Sequence, residues 1–362
     1  MSATALDART RLAELAPKHR GRFLLLVAGL AIAAVITALV SVGNGQLSVS
    51  PIEVVSVLLK AVGIDIEVVP AHPNAEAALW SIRFPRVVLS IVIGAALAVS
   101  GLLMQAIFGN PLAEPGVVGV SSGAALGACS AIVFGISIFG EWTTAVLAFG
   151  GGLLTTFIVY IFSRSARKTE VVTLILTGIA VNAFCGAGLA FLTFIGDTSA
   201  REQIVFWQLG SLNGSRWVQV AVVLPCVIVG VALAFLLARR LDLLSLGEKS
   251  ARHLGVNVEG LRIVAIVLVA LLVGAAVAFA GIIGFVGLVI PHLMRMLIGP
   301  SHLPLLIVST LGGSLLLMIA DLVARTAVEF ADLPIGMLTS LVGGPFFFWL
   351  LRRTRKQAGG WA

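Results

Sequence analysis

Apolar residues in this chain come in long unbroken runs separated by short polar interruptions, with neither the two-residue alternation of a half-buried strand nor the stripe of a surface helix dominating. The runs predict helices at 23–43, 87–108, 116–138, 142–162, 171–195, 217–238, 261–280, 282–298, 304–324 and 335–351. A helix needs about 20 mostly apolar residues to cross a bilayer, so each run is a candidate span. Alternating ten-residue segments of a membrane barrel are absent from the sequence, which leaves helices as the way to satisfy the backbone in lipid. The expected fold is an all-α integral membrane bundle of about ten transmembrane helices. The first run follows Arg20 and Arg22 as a secretory leader would. It is as long as a true span and no small-residue cleavage site follows it, so it counts as the first helix.

Composition agrees and sharpens the class. Of 362 residues, 59% are hydrophobic and 11% charged, with mean hydropathy +1.09, which excludes a water-soluble globule. The formal charge of +7 reads as topology. With the N-terminus placed in the cytoplasm, the inner segments hold Arg9, Arg11, Lys18, Arg20, Arg22, Arg164, Arg167, Lys168, Arg239, Arg240, Lys249, Arg252, Arg262, Arg295, Arg352, Arg353, Arg355 and Lys356. The outer segments keep only Lys60, Arg83, Arg86, Arg201, Arg216 and Arg325. Cytoplasmic tails are expected at 1–22 and 352–362 around a membrane domain at 23–351, and the charge calls for no nucleic-acid partner.

Candidate chemistry is sparse. Cys129, Cys185 and Cys226 each fall in a different predicted span, which suits small buried apolar roles rather than a disulfide. His19, His72, His253, His292 and His302 are scattered, and no metal-ligand spacing appears, so no metal site is expected. "GVSSG" at Gly119 to Gly123 matches G-x-S-x-G, but that motif acts on a strand-to-helix turn with His and acid partners. Here it opens a helix rich in Gly, Ala and Ser, where small residues allow close packing. An intramembrane hydrolase built on Ser121 is the enzyme alternative. A proton- or sodium-coupled carrier would keep a carboxylate near the bilayer midplane, and none is placed there. Asp321 comes nearest and can pair with Arg325 four residues on. No G-x-x-x-x-G-K-[ST] loop is present, so ATP, if used, is handled by another subunit.

The polar stretch "LSLGEKSARHLGVN", Leu244 to Asn257, is patterned like a short helix between two long apolar runs. Leu244, Ala251 and Leu254 recur at spacings of seven and three, while Glu248, Lys249 and Arg252 stay polar. The pattern admits a helix seated in a partner's groove or one resting on lipid headgroups.

"LLSLGEKSARHLGVNV" resembles the cytoplasmic coupling segment of the FecCD/BtuC-type permeases, the membrane subunits of binding-protein-dependent ABC importers for iron chelates, haem and cobalamin. "IRFPRVVLSIVIGAALAVSGLLMQAIFGNPLAEPGVVGVSSGAALG", "FWQLGSL", "GIIGFVGLVIPHLMRMLIG", "DLVAR" and "LPIGMLTSLVGGPFFFWLL" extend the likeness over almost all of the chain after the first helix. The resemblance implies a ten-helix permease of the type II ABC importer fold in the bacterial inner membrane. It implies a homodimer working with two ATPase subunits, which hold ATP and Mg, and with an extracytoplasmic substrate-binding protein; the chain itself binds no cofactor. A coupling helix is implied at about 243–257, with Leu246, Gly247, Glu248, Ala251, Arg252, Leu254 and Gly255 contacting the ATPase. Arg83, Arg86 and Arg325 match positions that face acidic residues of the binding protein. Their residue type suits bidentate carboxylate docking, and headgroup anchoring or the Asp321 pair is the bland account.

The segment Gly196 to Leu212 matches a short outer gate helix at about 197–210, with Arg201, Phe206 and Trp207 toward the translocation path; an interfacial helix anchored by Trp207 is the alternative. "GNPLAEPG" is a proline-fixed turn that contacts the ATPase or fixes two helices. "LTGIAVNAFCGAGLAFLTFIGD" followed by "FWQLGSL" looks more like haem-importer permeases than siderophore ones, which makes haem the expected cargo and Arg201 a candidate contact for it. A ferric siderophore or cobalamin, or ATP-independent secondary transport, are the other readings.

Overall fold

The structure, a computed structural model, describes residues 3–357 apart from 46–48, 66–67, 69–71, 166–167 and 329–330. The side chains of 3–20, 165, 168, 351 and 353–357 also lie outside the described residues, and with them most of the two expected tails and the charges placed there. Helix α1 (Ala3–Gly43) carries its apolar stretch at Gly21–Gly43. A short α2 (Pro51–Ala61) follows, which the apolar runs did not predict because it is too short to span. Its start is fixed by a capping box: the Ser50 N–H donates to Glu53 Oε2 at 2.7 Å, and the Glu53 N–H to Ser50 Oγ at 3.4 Å.

The second span is longer than the expected 87–108. A four-residue α3 (Ala75–Ala78), a π turn (Leu79–Arg83) and α4 (Phe84–Phe108) form one continuous rod. Then come a 3₁₀ turn (Pro115–Val118), α5 (Val120–Val133), α6 (Thr143–Phe162) and a small hairpin of β1 (Arg164–Ser165) and β2 (Lys168–Thr169). The chain continues through α7 (Val171–Ile195), α8 (Thr198–Leu209), α9 (Trp217–Leu244), α10 (Glu248–His253), α11 (Val258–Ala280), α12 (Val286–Ile298), α13 (His302–Thr326) and α14 (Ile335–Gln357).

Among the described residues, seven helices are long and apolar enough to cross a membrane, and α5, α12 and the apolar part of α14 are three shorter ones, in line with the expected ten. The spans predicted at 116–138 and 282–298 are cut short. The fourteen residues of α5 and thirteen of α12 rise only about 20 Å against a hydrocarbon core of about 30 Å, so neither α-helix is long enough to cross by itself. Pro115 opens the 3₁₀ turn before α5, and Gly281 to Phe285 run outside helical geometry before α12. Phe285 is the one described non-glycine residue with positive φ, at 66°.

Helix α4 is the axis of the bundle. It packs on α9, α11, α12 and α13, and its apolar window is almost wholly buried. Backbones meet directly: a Cβ built on Gly101 would lie 1.9 Å from the Gly287 carbonyl oxygen. No side chain fits there, so the α4–α12 contact depends on that pair of glycines. "GVSSG" is packing of the same kind, as expected. Gly123 abuts the α6 backbone, and Ser122, next to the motif serine Ser121, hydrogen-bonds the Gly119 carbonyl and Asn182 Oδ1, tying α5 to its own start and to α7. Helices α1 and α7 are the long helices least covered by their own chain.

Candidate functional site: the two ends of the bundle

At one end, the C-termini of α4 and α9 meet α10, the start of α11 and the β1–β2 hairpin. Gly247 and Gly255 bracket α10 with φ of 100° and 83°, a backbone state L side chains rarely adopt. They turn the chain in and out of a six-residue helix, shorter than the polar stretch around it. Its orientation corrects one expectation. Leu244 and Ala251 face the chain's own core, Ala251 with no exposed surface, whereas Leu246 (62% exposed) and Leu254 (58%) point away with Lys249, Arg252 and His253. Spacing alone identified an apolar side but not whose groove it fills, and the intramolecular groove takes Ala251.

Polar contacts fix α10 from beneath. Glu248 pairs with Arg252 at 3.2 Å, one helical turn on, and with Arg262 of α11. Arg262 is only 6% exposed and sends Nη1 to the Thr169 carbonyl of the hairpin at 3.1 Å. Glu259 accepts from the Thr169 N–H at 2.9 Å and from its hydroxyl at 2.6 Å. Arg262 therefore joins three elements. Sequence reasoning had entered it only as an inside positive charge. The available signal was an arginine just inside an apolar run, where an unpaired charge is costly. Beside this joint lies a cavity of about 600 Å³ lined by Phe108, Val171, Leu244, Glu248, Arg262 and Arg295, among others. Arg295 is held across it by Gln105 Oε1 at 2.8 Å.

The opposite end of the bundle holds Arg83, Arg86 and Arg325. Twenty-two residues of helix separate Arg86 from Phe108, about 33 Å of rise. The three do lie together, but they are turned inward, which corrects the expectation that they are presented to a partner. Arg86 Nε donates to Asp321 Oδ1 at 2.8 Å and its Nη1 to Asp332 Oδ2 at 3.0 Å, and Asp321 is 1% exposed. Arg83 Nη1 donates to the Val42 and Gly43 carbonyls at 2.6 and 2.9 Å. Arg325 reaches the Asn44 carbonyl at 2.6 Å and the Ser41 carbonyl and hydroxyl. Two guanidinium groups thus cover the C-terminal carbonyls of α1, where the helix dipole favours positive charge. The anticipated Asp321–Arg325 contact exists at 3.7 Å, outside hydrogen-bond range. Arg86, 235 residues away in sequence, takes the closer place. A carboxylate buried to this degree requires such partners, and Asp332 had gone unnoticed because it lies in a loop with no pattern around it.

Helix α8 lies close to the expected gate segment, with Asp197 as N-cap accepting from the Ala200 N–H at 2.7 Å. Arg201 donates to the Thr193 and Phe194 carbonyls at 3.1 and 3.4 Å, capping the end of α7. Phe206 is 65% exposed. Trp207 lines a cavity of about 390 Å³ with Trp142, Phe279, Glu141 and Arg216. The end of α8 is stitched to both neighbouring breaks: the Ser211 N–H donates to the Ala280 carbonyl at 2.8 Å and the Ile335 N–H to the Gly210 carbonyl at 3.0 Å. In "GNPLAEPG", the Leu112 N–H donates to Asn110 Oδ1 at 2.9 Å, an Asx turn. The Phe285 N–H donates to the Glu114 carboxylate, linking this turn to the start of α12.

Residues 18–353 match the model of the FecCD transport family. The chain belongs to that family. It is 45% identical over 296 residues to the hemin transport system permease protein HmuU of Yersinia pestis, covering 80% of this chain and 88% of that protein. It is 42% identical over 286 residues to the cobalamin import system permease protein BtuC of Halobacterium salinarum, covering 79% and 76%. The molybdate import system permease protein MolB of Haemophilus influenzae is 38% identical over 330 residues, covering 91% and 95%. A solved structure described as an inward-facing metal-chelate type ABC transporter matches with a TM-score of 0.78 at 36% identity, covering 90% of this chain and 98% of that one. This FecCD protein is therefore a multi-pass membrane permease of the ABC importer class. Its relatives carry different cargoes in their names.

Proposed function

We propose that this FecCD permease imports haem, taking it from a substrate-binding protein and passing it across the bacterial cytoplasmic membrane on ATP hydrolysis by a separate subunit. The observation that carries the cargo is the 45% identity to HmuU, described as a hemin transport permease, over most of both chains. A wide apolar path suits haem, and such a path should hold its cargo weakly so that release follows entry.

The working unit is a homodimer with two ATPase subunits, which hold the ATP and Mg. Helix α7 is the favoured dimer face, because it exposes Ala183, Gly186, Ala187 and Ala190 in succession, and small residues let membrane helices approach closely. Both termini lie in the cytoplasm, as the distribution of Lys and Arg favours, which puts the α10 end inside. The ATPase seats on α10 through Leu246, Lys249, Arg252 and Leu254, with Gly247, Glu248, Ala251 and Gly255 holding that helix in place. The binding protein docks at the opposite end, near Arg83, Arg86 and Arg325, and α8 with Arg201, Phe206 and Trp207 borders the mouth of the path.

The test is uptake into proteoliposomes holding permease and ATPase, with binding protein outside and ATP inside, run separately with haem, a ferric siderophore and cobalamin. ATP-dependent haem accumulation is the expected result. Accumulation of another cargo alone overturns haem, and uptake without ATP overturns the ATPase-driven reading.

A further inference from the structure

We infer that Arg262 is the positioning residue through which displacement of α10 is passed to α7, by way of the hairpin that starts that helix. This inference rests on the proposed seating of an ATPase on α10.

A six-residue helix bracketed by two positive-φ glycines has little stiffness of its own and moves as its attachments allow. Its apolar attachment, Ala251, packs into the main core with Leu244, which ties α10 to the rigid part of the bundle. Its polar attachment runs to Arg262 at the start of α11 and from there to the hairpin. Glu248 grips Arg262, and the other arm of the same planar fork holds the Thr169 carbonyl. A guanidinium bridging two acceptors keeps their separation nearly fixed. Glu259 adds two bonds to the same residue, so Thr169 is held on both sides. Val171, two residues on, is the first residue of α7.

What lies beneath makes the joint decisive. The start of α7 is not packed solidly on α4. One cavity, of about 600 Å³, contains Phe108, Val171, Glu248 and Arg262. Space on that side lets the start of α7 shift, and the polar joint is what directs the shift. Leaving the Arg262 guanidinium, only 6% exposed, without its acceptors is costly, so α10, Arg262 and Thr169 move together. Because α7 is poorly covered by its own chain and forms the proposed dimer face, a shift at its start is carried along that face to Arg201, which caps its far end.

The experiment uses the full complex of permease, ATPase and binding protein in lipid nanodiscs and proteoliposomes, with Arg262→Met, Arg262→Lys and Thr169→Val. Spin labels at Ser250→Cys on α10 and Val172→Cys on α7, both exposed, report their separation with and without ATP. In the parent complex the two labels should move together, their separation constant. In Arg262→Met the separation should change on ATP binding, and haem moved per ATP should fall about tenfold, within the range that coupling residues reach. ATPase retention should match the parent. Arg262→Lys keeps the charge without the fork and should fall between. Thr169→Val removes a Glu259 bond and tests the hairpin side should Arg262→Met fold poorly. An unchanged label separation with unchanged haem per ATP in Arg262→Met overturns the inference. Failure of the parent permease to retain any ATPase would instead overturn the importer reading on which it rests.

Discussion

Replacing Arg86 with methionine separates the two accounts of the arginine end most sharply. Methionine keeps much of the side-chain volume and removes the charge, leaving Asp321 at 1% exposure with only Arg325 Nε at 3.7 Å. Removing one partner of a buried ion pair costs about 3–5 kcal/mol. With an unfolding entropy of about 2.1 cal/mol/K per residue, a chain of this length loses roughly 1.3 °C of Tm per kcal/mol, so Tm should fall by about 4–7 °C. Asp332→Asn should cost far less, about 1 kcal/mol or under, because Asp332 is 27% exposed and its contact is screened. Arg86→Met combined with Asp321→Leu removes the orphaned charge and should recover most of the loss, giving a coupling energy of at least ~2 kcal/mol. Thermal unfolding of the purified permease in detergent, followed by loss of monodispersity, measures all three. A shift below about 1 °C for Arg86→Met, or a double variant as damaged as the sum of the singles, refutes the argument. An arginine displayed to a binding protein would give the converse: unchanged Tm and weakened docking.

The remaining predictions concern the other end and the central break. Leu254→Asp should leave stability within about 0.5 kcal/mol of the parent, since the site is exposed, while co-purification of ATPase drops; full retention places the contact elsewhere. Ala251→Pro removes the 2.9 Å Ala251 N–H bond to the Gly247 carbonyl at a cost of about 3 kcal/mol or more, and should release the ATPase, as pull-down from membranes will show. Glu114→Gln keeps an acceptor for the Phe285 N–H without a charge to bury and should hold or raise Tm, whereas Glu114→Ala should lower stability by about 1 kcal/mol, the worth of a helix cap; equal Tm for both removes Glu114 from the account of α12.

Long apolar runs were legible because length against bilayer thickness is a strong constraint, and they located the seven long and three shorter apolar helices found among the described residues. Two of those helices were drawn too long, since Gly and Phe at 281–285 are apolar whether or not they are helical. Helix α2 was missed for the opposite reason, being helical without being long. Faces were less legible than elements. In lipid, an apolar residue is equally at home against a tail or another helix, so the spacing of Leu244, Ala251 and Leu254 identified a helix but not that Ala251 turns inward while Leu254 turns out.

The charged pairs divide by distance along the chain. Glu248 and Arg262 are 14 residues apart, with only the short α10 and the turn after it between them, so their pairing was open to local reasoning: an arginine just inside an apolar run needs an anion, and Glu248 is one of the few nearby. Arg86 and Asp321 are 235 apart, and no local pattern connects them; what the sequence offered was the cost of each alone. A buried arginine and a buried aspartate at the same bilayer depth each require a partner, and α4 and α13 bring them to the same end by packing side by side. The same reasoning ranks the variants. Changes at Arg86 and Asp321 disturb the packing of α4 on α13 and should be read as stability. Changes at Arg262 leave that axis intact and should be read as coupling, so a library scored for both quantities should place these two arginines on different axes.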